Sequence, residues 1–313
     1  MIKLILIPQT SQIFRSPQFQ KKTLNTNTEN DLNEVNYLRA LNESGYALRL
    51  AWKHLDVRKL IEVSVINGNF KYHPELAKAF ISKIDNLCNS ALQDSLIYKE
   101  LNFFFKKLLE NNNLEDSLTL ENSERIKYRA KQVEQMLENT KPTNLLDVGC
   151  GDGAITNEVM NTLGLSASNV IGLEILPRSE AVKSFNVQMY DGKVFPLPDN
   201  SQDLITIFSV LHHADNPEDL IKESFRVLKP NASVLVREFD VCTPELQIFN
   251  LVMDHMYYFV YLPYPEMPIP GNYLSEKEWT DTFLNVGFVL DRSINTEPNN
   301  PYKPIMMKFK KPK

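Results

Sequence analysis

The sequence of 313 residues is poor in cysteine, and the few cysteines lie far apart. Cys88, Cys150 and Cys242 are odd in number and have no zinc-ligand spacing with each other or with histidine. Small secreted domains held together by disulfides have many cysteines in even numbers, so this class is excluded. The pattern predicts free thiols and no metal site, as expected for a cytoplasmic protein.

The sequence also lacks a long apolar segment and an excess of basic residues. The apolar run at residues 2–7 is too short for a signal peptide or a membrane span. The formal net charge is −5, and only the tail Lys308–Lys313 is rich in lysine. A duplex-binding protein normally shows a basic face. We therefore expect a cytoplasmic protein without membrane contact, while a local patch for nucleic acid stays open.

Hydrophobic periodicity divides the chain into two regions. Residues 1–30 are polar and irregular, and the following residues up to Pro142 show apolar side chains at helical spacing. After Pro142, short apolar strands alternate with helices, which predicts a mostly parallel sheet with helices on both faces. We therefore predict an N-terminal helical extension over residues 1–122 and an α/β domain over residues 123–313.

A glycine-rich turn follows the first predicted strand, at residues 144–148. Gly149, Gly151 and Gly153 are three of only ten glycines in the chain. Such a turn lets a ligand approach the bare backbone where a helix begins. The spacing also fits a dinucleotide fingerprint, and a tight turn without a ligand is a further alternative. Asp147 precedes the turn and suits a cationic amino group better than a pyrophosphate, which favours a ligand with an α-amino group and a sulfonium.

Acidic residues also end the next two predicted strands. Glu174 ends the strand at residues 170–174 and could accept hydrogen bonds from two ribose hydroxyls. Asp191 follows the strand at residues 187–190 and could accept a hydrogen bond from an adenine amino group. An acid at a strand end is often only solvated, and Asp-Gly is a common turn. The ligand-binding roles of both residues are better supported because the glycine-rich turn precedes them in the chain.

Five blocks then stand in a recognisable order. They are Leu145–Gly153, Val170–Glu174, Asp191–Asp203, Leu204–His213 and Phe225–Pro230. This order resembles the class I S-adenosylmethionine-dependent methyltransferases, and most closely the ubiquinone/menaquinone-type group, over about residues 125–310. The resemblance implies a Rossmann-like α/β fold with S-adenosylmethionine as cofactor. Two departures are Asn231-Ala232, where the family often has Gly-Gly, and the acidic Glu238-Phe239-Asp240.

The resemblance implies how the methionine part of the cofactor is held. Asp147 and the backbone of Gly149-Cys150-Gly151 would bind it. Phe208 and Ser209 would lie beside the sulfonium. Arg129, on the preceding helix, would reach the cofactor carboxylate, although an arginine at this place is more often simply exposed.

The resemblance also implies the nucleoside part of the site. Glu174 would bind the ribose, and Ile175 would pack on the adenine. Asp191, with Gly192 beside it, would contact the adenine amino group.

Methyl transfer is an in-line displacement at carbon, in which the protein mainly aligns the reactants and excludes water. A base is needed only if the nucleophile must lose a proton. The candidates are His212, His213, Asp240 and His255. The two neighbouring histidines also fit a family stretch that starts a helix, and His255 could simply lie on a helix face.

An aromatic and proline-rich insertion is predicted at residues 240–273. Its aromatic residues are Tyr257, Tyr258, Phe259, Tyr261, Tyr264 and Tyr273. This segment could line an acceptor pocket, stack a planar substrate or bind a partner. Alternatively, it packs on the N-terminal helices and continues as a stiff loop.

We expect an enzyme that methylates an unidentified acceptor, with a small molecule favoured. The acidic second half and the lack of a Lys-Asp-Lys-Glu set weigh against ribose methylation of RNA. RNA (cap) and protein methylation stay open as alternatives. A non-catalytic cofactor-binding module, which regulates a partner through the N-terminal helices, is a second class of function. A nicotinamide dehydrogenase would need hydride-transfer residues that we cannot identify.

Overall fold

The computed structural model describes residues 43–68, 70–114, 117–138, 140–177, 184–262 and 267–313, with side chains omitted at 117–122. The irregular stretch predicted at 1–30 and most of a short helix predicted at 178–185 lie outside these ranges. The chain forms two compact units. We call Met1–Leu108 with Thr243–Asn272 the helical unit, and Leu109–Cys242 with Tyr273–Lys313 the sheet unit. The boundary predicted at residue 122 stays a prediction.

The described residues form nine α-helices and seven β-strands. The helices are α1 (43–53), α2 (Leu55–Asn67), α3 (Pro74–Cys88), α4 (Asp94–Asn112), α5 (Ser117–Leu137), α6 (Ala154–Leu163), α7 (Pro217–Val227), α8 (Pro244–Met256) and α9 (Glu276–Val286). The strands are β1 (Leu145–Val148), β2 (Val170–Glu174), β3 (Asn186–Met189), β4 (Gln202–Phe208), β5 (Leu228–Phe239), β6 (Val289–Asn295) and β7 (Pro304–Lys310). Among the described helices, none combines the length and apolar character needed to cross a bilayer.

The seven strands form one sheet with the order β3-β2-β1-β4-β5-β7-β6. Strands β1 to β5 pair in parallel, and β7 runs antiparallel to both β5 and β6. The mostly parallel sheet predicted from the alternating elements is therefore confirmed. The strand order reverses at β1, which lies between β2 and β4, and such a switch point opens a crevice at the carboxyl ends of the strands.

Helices cover both faces of the sheet, as predicted, because successive side chains of a strand point to opposite faces. Leu145 packs with α5 and α6, while its neighbour Leu146 packs with α7 and α9. On the first face the contacts come from Val133, Met136, Val159 and Met160. On the second face they come from Leu220, Ile221, Trp279 and Phe283. The sequence Ser275-Glu276-Lys277-Glu278 predicts a capping box, and the structure confirms this box at the start of α9.

The helical unit includes the part of the aromatic insertion that follows α8. Tyr261 packs on Phe105, with ring centroids 4.9 Å apart, and on Phe80 at 6.0 Å. Asn102 Nδ2 donates a hydrogen bond to the carbonyl of Val260 at 2.8 Å. For these residues the structure agrees with the alternative in which the insertion packs on the N-terminal helices. Residues 263–266, with Tyr264, lie outside the described ranges.

Three element boundaries differ from the sequence prediction. Helix α4 continues to Asn112, although the asparagine run at residues 111–113 predicts a loop. The next residue, Asn113, has a φ of 53°, a left-handed conformation common at helix ends. A break at His54 separates α1 from α2, although the apolar spacing continues across it. The sequence predicts the fifth strand at residues 233–237, whereas β5 starts at Leu228, which pairs with Gln202 before a register shift.

Gly172 lies in β2 at a point where a side chain has no room. A Cβ there would stand 2.6 Å from Sγ of Cys150 and 3.0 Å from Cε2 of Phe185. We expect Gly172→Ala to lower the free energy of unfolding by about 1–3 kcal/mol, because overpacking forces neighbours to move. Urea denaturation followed by circular dichroism measures this. Adding Cys150→Ala should recover part of the loss, and an unchanged loss would contradict this contact as its cause.

Candidate active site

The predicted cofactor residues lie at the carboxyl ends of four neighbouring strands. Asp147 is in β1, Glu174 ends β2, Asp191 follows β3 and Phe208 ends β4. Because the sheet order is β3-β2-β1-β4, these ends form one continuous edge at the switch point. Parallel α/β sheets bind their ligands in this crevice.

The three glycines of the turn after β1 all adopt left-handed backbone conformations. Their φ angles are 69° at Gly149, 59° at Gly151 and 79° at Gly153. A Cβ on Gly149 would stand 2.4 Å from Cγ2 of Val210, whereas a Cβ on Gly151 would meet nothing within 4 Å. Gly149 is therefore needed for packing, and Gly151 leaves open space where a ligand can approach.

The first three N–H groups of the turn are already bonded to β2. Those of Gly149 and Cys150 donate to the carbonyl of Leu173, at 2.8 and 3.0 Å. That of Gly151 donates to Oε2 of Glu174 at 2.8 Å. A turn that cradles phosphate must direct its N–H groups at the ligand. These N–H groups point into the protein instead.

The start of α6 is also unsuited to a phosphate. Its first N–H, on Ala154, donates to Oδ1 of Asp152 at 3.0 Å, so a carboxylate already occupies the helix N-terminus. Gly153 N–H donates to the carbonyl of Cys150. The geometry therefore weighs against a dinucleotide pyrophosphate and favours a ligand with a positive charge.

Asp147 is a buried carboxylate held by two hydroxyls. Oδ1 accepts a hydrogen bond from Oγ1 of Thr206 at 2.7 Å, and Oδ2 accepts one from Oγ1 of Thr156. Burial raises the pKa of Asp147 to about 6. The hydrogen bonds from the two hydroxyls lower this pKa, but they only partly offset the loss of water. A cation bound nearby would favour the ionised carboxylate.

Glu174 is buried and fixed by backbone N–H groups. Oε1 accepts hydrogen bonds from the N–H groups of Ile175 and Leu176, at 2.8 and 3.2 Å. Oε2 accepts from Gly151, as described above. These bonds hold the carboxylate between the end of β2 and the glycine-rich turn.

Asp191 forms a turn at the end of β3. Its Oδ1 accepts hydrogen bonds from the N–H groups of Lys193 and Val194, both at 2.9 Å. These bonds lower the pKa of Asp191, which is exposed. A Cβ on Gly192 would lie 3.5 Å from Cγ2 of Ile175. The structure therefore brings the predicted adenine residues together from two adjacent strands.

Two predicted cofactor residues have side chains engaged elsewhere. Arg129 is mostly buried and donates to Oε1 of Glu297 at 2.8 Å. The Cys150 thiol packs towards Gly172, and burial raises its pKa well above the usual value. The N–H and the carbonyl of Cys150 are also bonded within the protein, to Leu173 and to Gly153. The predicted role of Arg129 stays a prediction.

The segment after β4 begins with a strained residue. Ser209 has a φ of 57°, which is unusual for a residue other than glycine. Its N–H donates to the carbonyl of Arg237 in β5 at 2.7 Å. Phe208, just before it, is half-buried. Ser209 is therefore fixed at the carboxyl edge of the sheet by the neighbouring strand.

Glu238 is a buried residue of this edge that sequence reasoning did not include in the site. One oxygen accepts hydrogen bonds from the N–H groups of Val210 and Leu211, at 3.1 and 2.8 Å, and the other contacts Nδ1 of His212 at 2.6 Å. Because a carboxylate accepts, Nδ1 of His212 donates in this contact, which fixes the orientation of the ring. The His212 ring stacks on Tyr273. The sequence feature that could have revealed Glu238 is an acidic residue within an apolar strand.

The other candidate bases have structural contacts. His213 is buried beside His212, with ring centroids 4.2 Å apart. Asp240 accepts a hydrogen bond from the N–H of Glu276 at 2.8 Å and so caps α9. His255 lies in the core of the helical unit, where burial lowers its pKa to about 4. A base of that pKa binds protons weakly at neutral pH, and the catalytic roles of all three stay predictions.

Comparison with known proteins supports the resemblance seen in the sequence. Residues 146–236 match the family described as "Methyltransferase domain". The match begins in β1 and ends in β5, so it contains Asp147, Glu174, Asp191 and His212. Residues 146–236 therefore resemble the class I S-adenosylmethionine-dependent methyltransferases of the ubiquinone/menaquinone type, as the sequence indicated.

The curated relatives have quinone-related names. The ubiquinone/menaquinone biosynthesis C-methyltransferase of Pseudoalteromonas translucida is 29% identical over 133 residues, which are 39% of this chain and 52% of the relative. The demethylmenaquinone methyltransferase of Listeria monocytogenes is 28% identical over 165 residues, 48% of this chain and 64% of the relative. The chain thus spans less than two thirds of either relative. Among solved structures, the YcgJ protein of Bacillus subtilis is 16% identical, with a TM-score of 0.47 over 59% of this chain and 99% of YcgJ.

Replacing Glu238 tests its contact with His212 and the segment after β4. We expect Glu238→Leu to lower the free energy of unfolding by about 3–5 kcal/mol, because it leaves two buried donors and one partly buried donor without their acceptor. Glu238→Gln keeps an acceptor oxygen and should lose less. Urea denaturation measures both losses. Glu134→Leu, on the exposed face of α5, is the control and should change stability by less than about 0.5 kcal/mol. Equal losses of unfolding free energy for Glu238→Leu and this control would show that Glu238 does not stabilise His212 and the segment after β4.

Proposed function

We propose that the sheet unit binds S-adenosylmethionine over the glycine-rich turn and transfers its methyl group to a small-molecule acceptor. One observation carries the proposal. Three carboxylates, Asp147, Glu174 and Asp191, end three neighbouring strands around a turn whose first N–H groups are bonded within the protein. Such an edge suits a cationic nucleoside and is poorly suited to a polyphosphate.

The residues present fit the parts of this cofactor. Asp147 supplies a negative charge near the turn for the positively charged amino and sulfonium groups. Glu174 has a fixed carboxylate that suits the ribose hydroxyls, and Ile175 supplies an apolar surface for the adenine. Asp191 suits the adenine amino group. Open space at Gly151 allows the ligand to approach the backbone.

When bound, the cofactor supplies a methyl group on a positively charged sulfur that leaves readily. The protein must then align the acceptor and exclude water. Ser209 and Phe208 are held at the end of β4, where the acceptor would enter. His212, oriented by Glu238, is the candidate that we favour to take a proton from an acceptor that must lose one.

The acceptor class is part of the proposal. The names of the relatives refer to ubiquinone and menaquinone, which favours a ring-containing small molecule over RNA or protein. The cytoplasmic location predicted from the sequence stays a prediction.

Asp147 predicts a pH dependence of cofactor binding. Below pH 6 the carboxyl group is protonated, and it must release its proton to face a cation. The affinity for S-adenosylmethionine should therefore fall as pH decreases below about 6, by up to about tenfold per pH unit. Calorimetric titration between pH 5 and pH 8 measures this.

Asp147→Asn should weaken binding by about 10- to 100-fold at pH 7.5 and should remove the pH dependence. Asp203→Asn is the matched control, because Asp203 is near the opposite, amino-terminal end of β4. An affinity that is independent of pH in the unmodified protein would contradict the role of Asp147.

Methyl transfer itself can be measured without knowing the acceptor. A cell extract is incubated with the protein and S-adenosylmethionine tritiated on the methyl group, and is then separated into small molecules, RNA and protein. We expect label in the small-molecule pool, a strong decrease with Asp147→Asn and no decrease with Asp203→Asn. Label in RNA or protein would contradict the proposed acceptor class. Cofactor binding without label in any pool would support the non-catalytic alternative.

A further inference from the structure

A buried cluster of charged residues lies at the carboxyl edge of the sheet beside β5. We call Arg129, Gln132, Arg237 and Glu297 the arginine cluster. Both guanidiniums donate to the same oxygen, Oε1 of Glu297, from Arg129 at 2.8 Å and from Arg237 at 3.2 Å. Arg129 also donates to Oε1 of Gln132 at 3.0 Å. Two arginines therefore share a single carboxylate.

The arginine cluster has more hydrogen-bond donors than acceptors. Nε of Arg237 and Nε2 of Gln132 are buried, and neither has a hydrogen-bond partner among the described residues. The second oxygen of Glu297 is already bonded to Nδ2 of Asn300 at 2.6 Å. A buried donor without an acceptor costs about 1–3 kcal/mol, and more for a charged group. A ligand with acceptor oxygens would remove this cost.

The neighbouring acid in β5, Glu238, does not supply the missing acceptor. Glu238 follows Arg237 in β5, so the two side chains point to opposite faces of the sheet. Its two oxygens are bonded to the segment after β4 and to His212. Burial lowers the pKa of Arg237 to about 9, which leaves the guanidinium charged at neutral pH. With two arginines and one glutamate, the arginine cluster therefore carries a net positive charge.

The position of the cluster points to the acceptor rather than the nucleoside. Nη1 of Arg237 donates to Oγ of Ser209 at 3.3 Å, next to the predicted place of the sulfonium. The predicted ribose and adenine residues lie on the other side of β1, at the ends of β2 and β3. Aromatic rings flank both guanidiniums, with Phe239 6.0 Å from Arg237 and Tyr128 5.9 Å from Arg129.

We propose that the arginine cluster is a binding subsite for an anionic group, such as a carboxylate, on a planar acceptor. Arg237 and Gln132 provide the donors that lack partners, and Arg129 completes the positive charge. Glu297 is the internal counterion that competes with the ligand for the two guanidiniums. The assignment to the acceptor rests on the proposed function, whereas the anion subsite itself does not.

The experiment compares benzoate with benzamide, which has the same shape and no charge. Calorimetric titrations are made with the full chain, both alone and saturated with S-adenosylhomocysteine. We expect benzoate to bind at least tenfold more tightly than benzamide. Arg237→Gln should reduce benzoate affinity to that of benzamide. Arg292→Gln, at a partly exposed arginine of β6, is the matched control and should change nothing.

The substitution Glu297→Gln distinguishes anion binding by the arginine cluster from a purely structural role of the cluster. Removing the competing carboxylate should tighten benzoate binding at least threefold, whereas a merely structural role would leave the affinity equal or lower. Because this change strengthens binding, a loss of folding cannot imitate it. It also tests the subsite if Arg237→Gln does not fold.

Three results would overturn the proposal. They are equal affinities for benzoate and benzamide in the unmodified protein, benzoate binding that survives Arg237→Gln, and no gain with Glu297→Gln. A more than tenfold loss of S-adenosylhomocysteine affinity with Arg237→Gln would assign the subsite to the cofactor carboxylate instead. Absence of S-adenosylhomocysteine binding would overturn the proposed function alone, and the titrations without it would still test the anion subsite.

Discussion

The buried carboxylate of Asp147 joins the elements on which the site depends. It lies in β1, and its two oxygens accept hydrogen bonds from Thr156 in α6 and Thr206 in β4. One side chain thus connects the first strand, the helix after the turn and the strand across the switch point. A buried charge without such partners would be strongly unfavourable. The same hydroxyls only partly offset burial, so the carboxylate keeps an affinity for a cation.

Local patterns predicted most of the sheet and the cofactor side of the site. The sequence pattern predicts helices at residues 74–88 and 154–163 and a strand at residues 170–174. The structure has the same bounds, because proline, glycine or polar residues flank each of these apolar segments. Asp147 and Glu174 stood out for the same reason, since an acid at the end of an apolar strand is conspicuous. Their pairing on adjacent strands followed from the parallel order of the βα units.

The remaining contacts depend on partners that are distant in the sequence. Glu238 reaches His212 only because β5 pairs with β4 in one particular register, and local spacing does not fix that register. Arg237 and Glu297 are 60 residues apart and meet only once β6 and β7 have folded back along β5. The place of the aromatic insertion stayed open for the same reason, since its apolar face could pack on several partners. Packing between distant parts of the chain therefore determines both contacts and the place of the insertion.

The discontinuous helical unit has a consequence for synthesis on the ribosome. Its first helices leave the exit tunnel long before Thr243–Asn272, the segment that completes their aromatic core. The apolar side chains of the early helices, among them Phe80 and Phe105, therefore stay without this part of their core until Thr243–Asn272 has been synthesised. The sheet unit is completed even later, because its strands β6 and β7 follow Thr243–Asn272 in the chain. Both cores therefore stay open while a long stretch of chain is synthesised, and chaperones can bind the exposed apolar side chains during this time.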